Sequence, residues 1–160
     1  MVVEPNGMTR LKRGRDGSQG LAQVIEMHSP LKLVILMLGT NDFQESHSNN
    51  AKLSAQGTEI LINIIRHAPI EPGMLIPEIM IIAPPTIVEP KGEIANKFDG
   101  AEKKCIGLAT ELKKISVRHS TSYFDSASIT EASIVDGIHL DENQHLSLGK
   151  AIAEAVSKII

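Results

Sequence analysis

Aromatic residues and cysteine are scarce in this sequence. Its 160 residues include no tryptophan, one tyrosine, three phenylalanines and one cysteine. The lone cysteine, Cys105, excludes a disulfide within the chain, which fits a reducing compartment, and its place in a helical pattern favours a buried structural thiol. So few aromatic rings leave little surface on which a sugar could stack. The composition therefore favours small, simple ligands.

Long apolar runs and a strong net charge are also absent. No window approaches ~18 uninterrupted apolar residues, and the opening MVVEPNG has no basic stretch followed by an apolar core, so we expect no membrane span, no signal peptide and a cytoplasmic location. The net charge is −3, which gives no reason to expect nucleic acid or an anionic membrane as a partner. One basic stretch, TRLKRGRD, has no interleaved aromatic residues and is a weak nucleic-acid motif. Its basic residues are Arg10, Lys12, Arg13 and Arg15.

Apolar patterning predicts alternating strands and helices within one domain spanning residues 1–160. The run LVILMLGTND at residues 33–42 predicts a strand buried on both faces, because six apolar residues precede the first glycine. Three further strands are predicted at residues 2–3, 79–83 and 122–125. Helices are predicted at residues 21–28, 54–67, 101–115 and 142–160, with Ser18 and Asp141 as N-caps of the first and last. This order predicts a three-layer α/β/α sandwich around a parallel sheet.

A small polar cluster follows the apolar residues of the strand predicted from residue 33. Thr40, Asn41 and Asp42 come directly after Gly39, at the carboxyl end of the strand. Ligands of open α/β sheets bind at this edge, so the cluster is a candidate site. The alternative is an Asx-type turn with no role in binding. The long loop at residues 86–98, which follows the next strand, is expected to cover the same edge.

A second candidate site is VDGIHLDENQH at residues 135–145. Asp136 and His139 lie three residues apart across a glycine, so the carboxylate can accept a hydrogen bond from the imidazole and support it as a general base. The alternative is a turn beside a packed histidine. Asp141 and His145 are close in sequence to Asp136 and His139, so the four side chains are candidate zinc ligands. Their spacing fits no compact ligand motif, however, and Asp141 is predicted as a cap. We therefore expect no metal at this site.

Together the two loops resemble the SGNH or GDSL hydrolase superfamily, and most closely its arylesterase and acyltransferase (perhydrolase-like) branch. The similar segments follow one another in the family's order: PLKLVILMLGTND, IIAPPTIVEPKG, FDGAEKK, SYFDSAS and DGIHLDENQH. The resemblance implies a flavodoxin-like fold. It also implies a serine esterase or acyl transferase that works through an acyl-enzyme on small carboxylic esters, without a cofactor.

The resemblance also implies roles for individual residues. Asp136 and His139 match the family's catalytic acid and base. Asn41 matches the asparagine whose side-chain N–H donates to the oxyanion. Gly7, in EPNGMTR, matches the glycine whose backbone N–H is a second oxyanion donor.

The family's nucleophile has no counterpart in the sequence. It is the serine of a GDS-type motif at the end of the first strand, whereas this sequence begins near the second conserved block. Ser18, in RDGSQG, follows no hydrophobic strand and is not expected to replace it. We therefore expect an N-terminally truncated chain that carries the acid–base pair and the oxyanion donors without the nucleophile. The alternative is a catalytically inactive remnant or an interaction protein, so enzymatic activity stays open.

The same comparison predicts a defect in the sheet. In the family the first strand is central, so its absence would leave an open edge that pairs with another chain, is closed by a shifted strand, or aggregates. A homo-oligomer is one of these outcomes.

Overall fold

A computed structural model of the chain describes residues 16–160. The predicted strand at residues 2–3, the candidate oxyanion donor Gly7 and the four basic residues of TRLKRGRD lie outside the described residues.

Three parallel strands form the sheet of the described chain. They are β1 (Leu33–Met37), β2 (Glu78–Ala83) and β3 (Ser122–Asp125), in the spatial order β1-β2-β3. Ile35 pairs with Met80, and Ile82 pairs with Phe124. Because successive side chains of a strand point to opposite faces, these four side chains share one face of the sheet. The predicted α/β fold with a parallel sheet is confirmed.

Five helices accompany the sheet: α1 (Leu21–His28), α2 (Ala51–Arg66), α3 (Ala101–Lys104), α4 (Leu108–Arg118) and α5 (Glu142–Val156). Short 3-10 turns cover Thr40–Phe43, Gly92–Phe98 and Ser126–Ser128. Helix α2 begins before the predicted residue, because the Asn50 side chain accepts a hydrogen bond from the backbone N–H of Leu53 and caps it.

Helix α5 ends at Val156 rather than at residue 160, and two further helix predictions are also wrong. The single helix expected at residues 101–115 is divided into α3 and α4 at Gly107, whose φ of 90° a helix cannot continue through. Ser18 does not cap α1: Gly20 occupies the N-cap position, and the Ser18 hydroxyl donates instead to Asp16 Oδ1 over 2.7 Å. Asp141 occupies the N-cap of α5, as predicted, and belongs to a capping box in which the Gln144 side chain accepts from the Asp141 backbone N–H over 2.7 Å.

The core lies between the sheet and helices α2 and α4. Strand β2 is central and its residues 79–83 are at most 2% exposed. Cys105 is buried among the apolar side chains, as predicted. Phe43 and Phe98 are also buried in this core, at 0% and 1% exposure, so neither ring offers a binding platform.

Strand β1 is less buried than its apolar sequence predicts. Leu36 faces the core, but Ile35 and Met37 are 41% and 36% exposed on the opposite face. The prediction of burial on both faces is therefore wrong for the described chain, because β1 is an edge strand there. The C-terminal segment is also less buried than predicted: Leu148 of α5 is buried, whereas Ile152, Val156 and, beyond the helix, Ile159 are only half-buried. Among residues 16–160, no helix is both long and apolar enough to cross a membrane.

Candidate active site

The Asn41 turn lies at the carboxyl end of β1, as predicted. It begins after Gly39, whose φ is 126° and where a Cβ would lie only 2.8 Å from Leu108 Cδ2. Asp42 turns inward and its Oδ2 accepts a 2.6 Å hydrogen bond from the Ser54 hydroxyl on α2. The buried Phe43 anchors the turn from below. Asp42 therefore holds the turn to α2, while the side chain of Asn41 is exposed at the sheet edge.

Asp136 and His139 are in direct contact. Nδ1 of His139 lies 2.5 Å from Asp136 Oδ2. The second carboxylate oxygen, Oδ1, accepts hydrogen bonds from the backbone N–H groups of Ile138 (2.8 Å) and His139 (2.9 Å). The carboxylate is thus oriented by its own loop, and the imidazole side chain is 63% exposed. This arrangement engages Nδ1 and leaves Nε2 as the nitrogen for proton transfer.

The pKa of the Asp136 carboxyl is lowered from its usual value. Burial acts to raise the pKa, but hydrogen bonds from the His139 side chain and from the backbone N–H groups of His139 and Ile138 outweigh it. Asp136 is therefore a carboxylate throughout the neutral range, which is the form that can stabilise an imidazolium.

The Asp136–His139 pair, called the dyad below, lies in a loop of residues 133–141. This dyad loop docks on the loop that follows β2. The backbone N–H of Val88 donates to Gly137 O, and that of Lys91 donates to Asp136 O, both over 3.0 Å. Gly137 has a φ of 78°, and a Cβ there would lie 2.4 Å from Glu89 O. Only glycine permits this approach. The loop at residues 86–98, expected to cover the site, thus supports the dyad from one side.

Ser133 is a structural residue of the site that the sequence analysis missed. It is 2% exposed, and its hydroxyl donates to Asp141 Oδ1 (2.8 Å) while accepting from the backbone N–H of Val135 (3.1 Å). Its own backbone N–H donates to His139 O over 2.7 Å. Ser133 therefore closes the dyad loop and ties it to the start of α5. No motif in its neighbourhood, EASIV, distinguishes it from a surface serine.

A cavity of about 130 Å³ opens beside the Asn41 turn. It lies between the carboxyl ends of β1 and β2 and the start of α4. The side chains around it are small or of moderate size, and they include Thr40, Phe43, Thr86, Ile87, Cys105 and Leu108. Burial raises the pKa of the Cys105 thiol, so this cysteine is a neutral wall residue rather than a nucleophile.

Of the other sequence candidates, Ser18 is not joined to this site, and Asp141 belongs to the dyad loop only as a structural residue. Ser18 donates to Asp16 Oδ1 through both its hydroxyl and its backbone N–H. Asp141 is engaged by Ser133. Within the described part of the chain, no three His, Cys, Asp or Glu side chains come together in a way that could hold a metal ion.

Comparison with known proteins places this geometry in a family. No protein-family model matches the chain, and no curated protein matches it. Among solved structures, a carbohydrate acetylesterase from Sinorhizobium meliloti superposes with a TM-score of 0.86 at 26% identity, over 98% of this chain and 74% of that one. The aryl esterase of M. smegmatis gives 0.83 at 28% identity, over 99% and 73%.

A third structure comes from Agrobacterium tumefaciens str. C58 and is proposed to be an arylesterase. It superposes with a TM-score of 0.84 at 32% identity, over 95% of this chain and 73% of that one. With this identity and coverage, the chain belongs to the SGNH hydrolase family of aryl esterases and carbohydrate acetylesterases.

Proposed function

We propose that this chain is the acid–base and oxyanion-binding part of an SGNH-type serine esterase that acts on small carboxylic esters. The observation that carries the proposal is the 2.5 Å contact between His139 Nδ1 and Asp136 Oδ2, with the imidazole exposed at the site. A packed histidine in a simple turn would bury its ring, so this geometry favours general-base chemistry over the turn alternative.

The reaction follows from the roles of these groups. His139 Nε2 takes the proton of a serine hydroxyl as that oxygen attacks the ester carbonyl, and Asp136 stabilises the imidazolium that forms. A side-chain N–H of Asn41 donates to the oxyanion of the tetrahedral intermediate. The intermediate collapses to an acyl-enzyme when His139 returns the proton to the leaving alcohol. Water, or another acceptor, then attacks the acyl carbonyl while His139 takes its proton. His139 returns that proton to the serine oxygen as the acyl group leaves it.

We propose that the nucleophilic serine comes from polypeptide outside residues 1–160. The chain spans about 73% of the length of the solved aryl esterases, and Ser18 is hydrogen-bonded to Asp16. Gly7 is the proposed second oxyanion donor. Small, simple esters are favoured, because the sequence has few aromatic rings on which a sugar could stack.

A chimera tests this proposal. The part of the M. smegmatis aryl esterase that has no counterpart in this chain is joined to residue 1, and hydrolysis of p-nitrophenyl acetate and labelling by a fluorophosphonate are measured. We expect hydrolysis and a stoichiometric adduct in the chimera, and no adduct on the 160-residue chain alone. His139→Gln in the chimera should lower kcat/KM about 1,000-fold or more. An adduct at Ser18 of the chain alone would refute the assignment of the nucleophile.

A second candidate function is supported by the exposed side of β1. Ile35 and Met37 present apolar surface beside a strand edge that has no ladder partner within residues 16–160, which is a feature of proteins that pair with another chain. A chimera that folds cooperatively, as judged by circular dichroism, but neither hydrolyses the ester nor takes the label would favour this inactive interaction protein.

A further inference from the structure

The side-chain amide of Asn41 has two ends of similar size and opposite hydrogen-bonding character. Its Nδ2 can donate to an oxyanion, whereas its Oδ1 would repel one. Asn41 is exposed, so burial does not decide which end faces the substrate. The partner of the other end must decide it.

That partner is Gln44. Its Nε2 donates to Asn41 Oδ1 over 3.0 Å. With Oδ1 engaged by a donor, the Asn41 Nδ2 group is the end left to face the site. The bond joins Asn41, in the 3-10 turn, to the residue that caps the end of that turn.

Gln44 is itself firmly held. It is 7% exposed, and its backbone carbonyl accepts hydrogen bonds from the His47 N–H (2.9 Å) and from Lys104 Nζ (3.4 Å). A buried amide attached to such a fixed backbone has few alternative rotamers. It can therefore hold the exposed amide of Asn41 in one orientation.

We propose that Gln44 is a positioning residue that orients the Asn41 amide with its N–H groups toward the oxyanion. This inference rests on the proposed function, because it concerns the donor used in that reaction. Donors that are oriented before the reaction stabilise the developing charge without reorganising. Nothing in the sequence pattern distinguishes Gln44 from other glutamines.

Two substitutions at this position separate orientation from packing. Gln44→Met keeps the length of the side chain and removes the hydrogen bond, so the Asn41 amide is released. Gln44→Glu keeps the shape but can only accept while ionised, so it draws Asn41 Nδ2 inward and turns Oδ1 toward the substrate. Gln44→Glu should therefore be the more harmful change for catalysis. Gln23→Met, on the exposed surface of α1, is the matched control.

The deciding experiment is nuclear magnetic resonance on the labelled 160-residue chain, which needs no catalytic activity. For the Asn41 side-chain amide we expect an order parameter of about 0.85 in the wild type and in Gln23→Met, falling below about 0.6 in Gln44→Met. We also expect contacts between the Asn41 and Gln44 amide protons in the wild type. An unchanged Asn41 order parameter in a folded Gln44→Met variant would overturn the proposal. A failure of the proposed function would leave this readout intact.

Kinetics in the chimera provide the second readout. Gln44→Glu should lower kcat about 10-fold or more below that of Gln44→Met with little change in KM, because the donor acts in the transition state. Equal values of kcat for the two variants would contradict the orientation role. An inactive wild-type chimera would count against the proposed function, and the amide order parameter would then decide the role of Gln44 alone.

Discussion

Asn41 offers the clearest test of the site at the level of a single residue. In the chimera, Asn41→Ala should lower kcat about 100- to 1,000-fold, the effect typical of losing one oxyanion donor. The melting temperature should fall only modestly, because the side chain is exposed and its removal leaves a single buried group, Gln44 Nε2, without its acceptor. Steady-state kinetics and thermal denaturation of the same samples check both expectations.

Asn50→Ala is the control for Asn41→Ala, since Asn50 is another exposed asparagine and caps α2 through Leu53. It should lower the stability by about 1 kcal/mol without changing kcat. If both variants lose stability and activity in parallel, Asn41 has a structural role rather than an oxyanion role.

Asp136 is expected to make the stability of the fold depend on pH. Its pKa is lower in the folded chain than in the unfolded chain, where the usual value of about 3.9 applies. The unfolded state therefore binds the proton more readily, so the contribution of Asp136 to stability is complete above about pH 5 and is lost as the pH falls through its folded pKa. Urea denaturation between about pH 6 and pH 2 should show this loss, and Asp136→Asn should remove part of it.

The matched control for this pH dependence is Asp99→Asn, at an exposed position. Asp136→Asn should flatten the stability curve below about pH 5 more than this control does. A wild-type curve that coincides with that of Asp136→Asn would show that the Asp136–His139 contact does not persist in solution.

At the level of elements, the docking of the dyad loop on the loop after β2 depends on Gly137. Gly137→Ala should destabilise the chain by about 2 kcal/mol or more, since the added Cβ both meets Glu89 O and demands a left-handed backbone at φ 78°. Gly73→Ala separates these two causes, because Gly73 has a φ of 90° and no atom within 4 Å of its Cβ position.

Urea denaturation of both glycine variants measures the difference. Gly73→Ala should cost only the backbone strain, about 1 kcal/mol. Equal losses in the two variants would mean that the contact between Gly137 and Glu89 contributes nothing. A larger loss in Gly137→Ala would show that the loop after β2 holds the dyad in place.

At the level of the whole molecule, the exposed side of β1 should govern self-association. Ile35 and Met37 lie beside a strand edge that has no ladder partner within residues 16–160. We expect the wild-type chain to associate as its concentration rises, and Ile35→Lys to shift it toward monomer, because a charge on an edge strand opposes pairing. Sedimentation velocity over a range of concentrations measures this.

Val117→Lys is the control for association, since Val117 is 74% exposed on α4, away from β1. It should leave the sedimentation profile unchanged. A wild-type chain that is monomeric at every concentration would refute the association expected from the open edge.

The sequence by itself determined the α/β class, the parallel sheet and the two site loops. These features depend on short-range patterns: a continuous apolar run before Gly39, and an aspartate three residues before a histidine. The hydrogen bonds that form the Asp136–His139 contact span only three residues. Local backbone preference is therefore enough to predict that they can form.

The tertiary structure decided which residues hold the site loops in place and which apolar side chains stay exposed. The docking of residues 88–91 on residues 136–137 joins segments more than forty positions apart in sequence, and the burial of Gln44 and Ser133 follows from packing that no local pattern records. The same holds for Ile35 and Met37, whose exposure depends on which strands neighbour β1. Local sequence can specify a strand or a turn, but only the assembled chain determines what covers it.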